Sequence, residues 1–242
     1  MALSKLAQRA EMPAASAHPY LVSFGKLGLI AQDLATGFYD FGPLALELGL
    51  ASLHRLNPIR LALPAIAELA ACTGHTTALA VWGNRGPTIV HLEESAHPIH
   101  VNMRPGTVMS LLGTATGRVF AAYLPPKLTE QWITAELRGV RTEGAKDGRP
   151  SWKQIEATLA EVRRRKLDRA LGHPIPSINA FSAPVFDHTR TIALAITVMG
   201  TEGAFDSAWD GSVAKQLLSC AAGLSRRLGY FERVSAAGEA IE

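Results

Sequence analysis

Leu3-Ser-Lys-Leu-Ala-Gln-Arg-Ala-Glu-Met-Pro-Ala-Ala-Ser-Ala-His-Pro-Tyr-Leu-Val-Ser-Phe-Gly-Lys-Leu-Gly28, continuing Leu29-Ile-Ala-Gln-Asp-Leu-Ala-Thr-Gly-Phe-Tyr-Asp-Phe41, is the stretch that decides the fold. Leu3, Leu6, Ala7 and Ala10 recur at helical spacing, so the first eight residues read as a short helix. Glu11-Met-Pro-Ala14 is a turn. Ser16 is expected to cap a second helix that runs to Leu27 and stops at Gly28, where glycine accepts the left-handed backbone. Leu29–Asp33 and Phe38–Phe41 read as strands around Ala35-Thr-Gly37. Two helices, a tight turn and a hairpin are the parts of a winged DNA-docking device, in which the second helix enters the major groove and the wing lies along the backbone.

Working outward, the 242 residues and 48% hydrophobic content suffice for one sizeable core plus a small extra domain. Cys72 and Cys220 are the two cysteines, which excludes a disulfide framework or a cysteine-rich metal centre and fits a reduced, cytoplasmic setting. No long uninterrupted apolar run and no leader-like N-terminus is visible, so no membrane partner is expected. The net charge of +3 argues only weakly for nucleic acid. Within residues 1–42, Lys5, Arg9 and Lys26 are balanced by Glu11, Asp33 and Asp40, so no basic stripe marks a docking face.

Gly42-Pro43 closes the hairpin, with Pro43 suited to the first position of a new helix. That helix, Leu44–Leu56, carries leucines at 44, 46, 48, 50, 53 and 56. It fits either a core helix or one held between a domain and a second subunit, and its connecting position favours the second. Beyond it, Pro64–Thr73 reads as a helix closed by Gly74. Thr76–Trp82, Thr88–Glu93 and Ile99–Arg104 read as strands. Leu112–Tyr123 reads as a helix stopped by Pro125-Pro126, and Gly139–Pro150 as a polar mobile loop. Ser151-Trp-Lys-Gln154 is a capping box that opens a helix to Lys166. Ala180–Phe186 and Ile192–Gly200 are strands, and a last helix spans Ser207–Leu228. The layout is α+β, one antiparallel sheet flanked by helices.

With these elements in order, the chain resembles the IclR family of bacterial transcriptional regulators over nearly its whole length. The resemblance is carried by Leu27-Gly-Leu-Ile-Ala-Gln-Asp33 through Tyr39-Asp-Phe-Gly42, and by Arg104-Pro-Gly106 with Ala115-Thr-Gly117. Pro176-Ser-Ile-Asn-Ala-Phe-Ser-Ala-Pro-Val185 and Leu228-Gly229 complete it. It implies a winged helix-turn-helix (1–42), a linker or dimerisation helix (43–57), a GAF-like effector-binding domain (58–235) and a tail (236–242). It further implies a homodimer or homotetramer on double-stranded operator DNA, with a small-molecule effector and no catalytic activity.

Two departures concern the DNA-binding end. The family's reader domain usually has a helix ahead of the one at Leu3, so a truncated domain is expected. Pro19 also stands where the family often has Arg; with Ser16 as cap it falls in the first turn and removes no intrahelical bond. The expected DNA contacts are Ser16, His18, Tyr20, Ser23 and Lys26. An alternative is a sensor module of the same family with weak or lost DNA binding.

Matching the motifs residue by residue places Ala115 and Thr116 at the start of the sensor helix, where free backbone N–H groups favour an anion. Ala180 and Ser182 fall on one strand, Thr197 and Met199 on another. Ala180 and Met199 make the expected effector an organic acid with an aromatic or other hydrophobic body; the plain reading is that they fill core volume. His91, His97 and His100 lack ligand spacing, so no metal is expected, and no cofactor motif is visible. Arg163-Arg-Arg-Lys166 reads as a solvated helix end. Cys220 reads as inert packing, and Ser177 and Ser182 sit in no hydrolase motif.

Overall fold

The computed structural model describes residues 1–95, 103–139 and 150–231, and divides into two compact units, Met1–Leu56 and Asn57–Glu242. In the first unit, helices α1 (Leu3–Arg9) and α2 (Ala14–Lys26) precede a hairpin of β1 (Ile30–Gln32) and β2 (Tyr39–Phe41), and helix α3 (Pro43–Arg55) follows. Ile30 pairs with Phe41 and Gln32 with Tyr39. The hairpin turn is fastened by the Asp33 carboxylate, which accepts the N–H groups of Ala35 at 2.8 Å and Thr36 at 2.9 Å. Those two bonds hold its carboxyl below the usual carboxylate range.

Helix α2 begins earlier than expected. Pro13, not Ser16, is its N-cap, because the extended Pro13 backbone presents its carbonyl to the N–H groups of both Ser16 and Ala17. Ser16 therefore lies inside the first turn and caps nothing. The shift moves Pro19 beyond the turn in which N–H groups are spare. Its missing N–H leaves the Ala15 carbonyl without its intrahelical donor, contrary to the expected neutral placement.

The second unit opens with α4 (Pro58–Thr73), capped by Asn57, whose side chain accepts the Arg60 N–H at 3.1 Å. Pro64 lies within this helix rather than at its start. Gly74, at φ 69°, closes it in the left-handed region. The sheet has five antiparallel strands: β3 (Thr76–Gly83), β4 (Gly86–Glu93), β5 (Asp168–Leu171), β6 (Ile178–Phe186) and β7 (Ile192–Thr201), in the spatial order β4-β3-β7-β6-β5. The central strand β7 is buried on both faces, which is why Ile192-Ala-Leu-Ala-Ile-Thr-Val-Met-Gly200 shows no clean polar alternation. Of the expected third strand, 99–102 lie outside the described residues, and Met103 and Arg104 are not in a strand. The following turn instead lines the β4 edge, with Ile89 N–H bonded to the Thr107 carbonyl and Met109 N–H to that of Pro87.

Helices cover both faces. On one, α4 packs against β3, α8 (Ser212–Arg227) against β6, and the two helices against each other. On the other, α5 (Ala115–Tyr123) crosses β6 and β7 and carries α7 (Trp152–Arg165) on its outer side. The core there joins Ala78, Ala80, Ala195 and Met199 of the sheet to Val119 and Phe120 of α5 and Leu159 and Val162 of α7. Helix α6 (Pro126–Gly139) has no counterpart in the sequence reading. Pro125-Pro126 reads as a stop, yet Pro126 opens the next helix, where its lacking N–H is no loss. The Ser151–Gln154 capping box forms as expected. Asp206 takes the N–H groups of Ala208 and Ser212, and that loop delays α8 to Ser212 rather than Ser207.

Candidate functional site

The start of α5 is built by three devices. Thr114 caps it, its hydroxyl accepting the Gly117 N–H at 2.9 Å. Gly117 allows the preceding turn to press against the helix: a Cβ there would stand 1.9 Å from the Ser110 carbonyl oxygen. Glu136 of α6 holds that turn, accepting the Ser110 hydroxyl at 2.8 Å and the N–H groups of Leu111 at 2.6 Å and Leu112 at 3.0 Å. This strap explains why α5 begins at Ala115, not Leu112. Among the described residues, the N–H groups of Ala115 and Thr116 have no acceptor within the protein.

Beneath the helix start lies a cavity with about 40 Å³ of open volume, partly accessible to solvent. Its lining comprises Met103, Met109, Thr114, Ala115, Thr116, Ala170, His173, Pro174, Ile175, Ile178, Ala180, Thr197 and Met199. Three of the protein's five methionines are among them. Unbranched thioether side chains adapt their shape readily, so this wall can yield to a larger guest.

The structure thus brings Ala115, Thr116, Ala180, Thr197 and Met199 together. Ser182 stands one layer back. Thr197 Oγ1 donates to Ser182 Oγ at 2.9 Å, and Thr116 Oγ1 lies 2.7 Å from Thr197 Oγ1. With Thr197's one proton given to Ser182, Thr116 supplies the proton of the other bond. Neither threonine hydroxyl then has a proton for a guest; the donors at this end are backbone N–H groups.

Below this chain a buried ion pair braces the site. Arg118 Nε donates to Asp168 at 2.7 Å, while its terminal nitrogens reach the carbonyls of Leu112 at 2.8 Å and Arg169 at 3.0 Å. Burial pushes the Asp168 carboxyl above its usual range, with Arg118 the main opposing influence. Arg118 and Asp168 were not singled out in the sequence. The one signal is a lone arginine four residues into an otherwise apolar helix.

In the first unit Ser16, His18, Tyr20, Ser23 and Lys26 are all exposed. At 3.6 residues per turn, Ser16, Tyr20 and Ser23 share one stripe, whereas His18 lies roughly 200° around from Ser16. The Ser23 hydroxyl is turned back onto the Pro19 carbonyl at 3.0 Å. Helix α3 has no buried residue, and Leu46, Leu48, Leu50 and Leu53 are exposed.

The remaining candidates are dull. His91 pairs with Glu93 at 3.2 Å, His97 and His100 lie outside the described residues, and no metal-binding group occurs among the described ones. Arg163 is bonded to Glu156, and Arg164 and Arg165 to Glu161, so the basic cluster is partly compensated. Cys220 lies against the Ala65 carbonyl at 3.8 Å, and burial pushes its thiol up to about 11. Among the described residues no helix is long and apolar enough to cross a membrane.

An antiparallel sheet flanked by helices, holding a cavity at a helix start and preceded by a small helix-helix-hairpin unit, is the architecture of bacterial ligand-sensing regulators. The family described as "Bacterial transcriptional regulator IclR C-terminal" matches residues 50–226, and the chain belongs to the IclR family of transcriptional regulators. HmgR of Pseudomonas aeruginosa is similar in structure at 35% identity and a TM-score of 0.87, covering 95% of this chain and 90% of that one. The HTH-type transcriptional regulator KipR of Bacillus subtilis is 25% identical over 236 residues, 95% of this chain and 90% of KipR. A glycerol operon regulatory protein of Streptomyces griseus is 28% identical over 237 residues, 95% of this chain and 89% of its own.

Proposed function

We propose that this regulator binds a small organic acid with an aromatic or other hydrophobic body, and that binding alters its hold on double-stranded operator DNA. The acid's carboxylate sits at the free N–H groups of Ala115 and Thr116, where the helix dipole adds to the attraction. Its body lies against Ala180, Met199 and their neighbours. The observation that carries this is the convergence of five separately placed residues on one cavity whose polar end offers only backbone donors. The small open volume means that binding requires the methionine wall to move, which couples ligand to shape.

In the same reading the Met1–Leu56 unit is a winged helix-turn-helix: α2 enters the major groove, with Ser16, Tyr20 and Lys26 the foremost contacts, and the β1–β2 wing follows the backbone. The exposed leucines of α3 belong to a homodimer or homotetramer contact, since an apolar row of that kind is costly in water. A thermal-shift screen of aromatic and aliphatic acids tests the sensor half; stabilisation by short polar acids alone would overturn it. Fluorescence anisotropy on upstream DNA tests the other half, and an affinity unmoved by saturating acid would remove the switch.

A second reading, a sensor with weak or lost DNA binding, is favoured by the balanced charge of residues 1–42, the proline at position 19 inside α2 and the self-bonded Ser23. Absence of any shift with operator-length DNA at low salt would establish it.

A further inference from the structure

We infer that Thr76 is a concealed second polar anchor of the effector cavity, so that the preferred acid carries a hydroxyl or carbonyl at the far end of its apolar body. The inference rests on the cavity reading above. Residues directly opposite one another in an antiparallel sheet share a face, and one such row crosses four of the five strands here. Ala170 pairs with Ala180, Ala180 with Met199, and Met199 with Thr76. The first three line the cavity. Thr76 is the fourth, one strand spacing (about 4.8 Å) beyond Met199; it is outside the cavity lining, and Met199 stands before it in the row.

Its hydroxyl is out of place as mere structure. Thr76 is 2% exposed, and among the described residues its Oγ1 has no hydrogen-bond partner. Every other buried serine or threonine among the described residues is bonded: Thr77 to the His75 carbonyl, Thr114 to that of Ser110, Thr129 to that of Pro126, Ser225 to that of Ala221, and Thr116, Thr197 and Ser182 to one another. A buried polar group without a partner is unfavourable, and valine would fill the same volume without that cost. Methionine is the side chain best able to swing aside and admit a guest. A guest that enters with its carboxylate at α5 and its body along the row brings its distal end to Thr76, which can donate to it or accept from it.

Matched acids test this: benzoate against 4-hydroxybenzoate, 3-phenylpropanoate against its 4-hydroxyphenyl counterpart, and hexanoate against 6-hydroxyhexanoate, titrated by calorimetry into the full chain. Wild type prefers the hydroxylated member of at least one pair about tenfold. Thr76→Val loses that preference without losing the unsubstituted acid, and its thermal midpoint does not fall. Thr76→Ser, which keeps the hydroxyl, retains the preference. A preference undiminished in Thr76→Val, or absent in wild type, overturns the inference while leaving the cavity reading intact. Failure of every acid to bind wild type overturns the cavity reading itself.

Discussion

The two units of this protein are held together by different physics. In Met1–Leu56 the buried apolar side chains are Ala7 and Ala17, and Tyr20, Val22, Phe24, Leu27 and four of the α3 leucines stand in water. In the second unit Phe120, Phe181, Ile196 and Leu217 are wholly enclosed, and a buried ion pair and hydroxyl chain are accommodated as well. A small unit that encloses only alanines leans on local hydrogen bonds and on whatever covers its apolar surface. A unit with a dense interior can instead carry buried polar groups, each a point of high leverage.

The largest test of that contrast is Arg118→Met. Removing the guanidinium leaves Asp168 buried without its partner and frees two carbonyls, at a cost of about 3–5 kcal/mol. Hydrogen exchange should show the loss confined to the second unit; equal loss of protection in α1–α3 would break the comparison. Next is Gly117→Ala, where the added methyl meets the Ser110 carbonyl at 1.9 Å. Overpacking against backbone costs about 3 kcal/mol, read from urea denaturation. A smaller effect of opposite sign is expected in the first unit: Pro19→Ala returns a donor to the Ala15 carbonyl and raises the stability of α2 by about 1–2 kcal/mol, part of the gain being offset by a freer unfolded chain. Helicity measured on residues 1–56 by exchange or NMR would check it.

The smallest effect is a pH response of opposite sign in the two units. The folded-state pKa of Asp33 lies below the ordinary 3.8, so its stabilisation is complete above 3.8 and is lost as pH falls through the lowered value. The folded-state pKa of Asp168 lies above 3.8, so its charge is a burden at higher pH that is relieved as pH falls through the raised value toward 3.8. As pH falls below 3.8, amide protection factors should therefore drop in the β1–β2 hairpin before they drop at β5. Earlier opening at β5 would contradict this ordering.

Much of this was legible in the residues, because the signals were local. Capping chemistry at Ser151, glycine stops at Gly28 and Gly74, and the apolar run of Thr76–Trp82 each mark an element without reference to the rest of the chain. What escaped depends on distant partners. Strand β5 is four residues of mixed character that exist as a strand only because Ala170 and Asp168 find Ala180 and Ser182. Pro13 outcompetes Ser16 as cap because its own carbonyl takes two donors, which composition does not display. At the cavity, motif matching placed the lining of two strands and a helix start, but not the hydroxyl relay that sets Ser182 behind Thr197, nor the row that leads to Thr76. Register decides those, and register is a property of the sheet.

Because the two carboxylate oxygens of Glu136 accept three bonds from Ser110, Leu111 and Leu112, the approach to α5 cannot shift without dragging α6 along or severing charge-assisted contacts. The cavity therefore has a stiff jaw at the α5 end and a sulfur-rich jaw able to change shape opposite. Under the proposed reading, such a vice is strict about the headgroup it clasps and forgiving about the girth of what trails behind it.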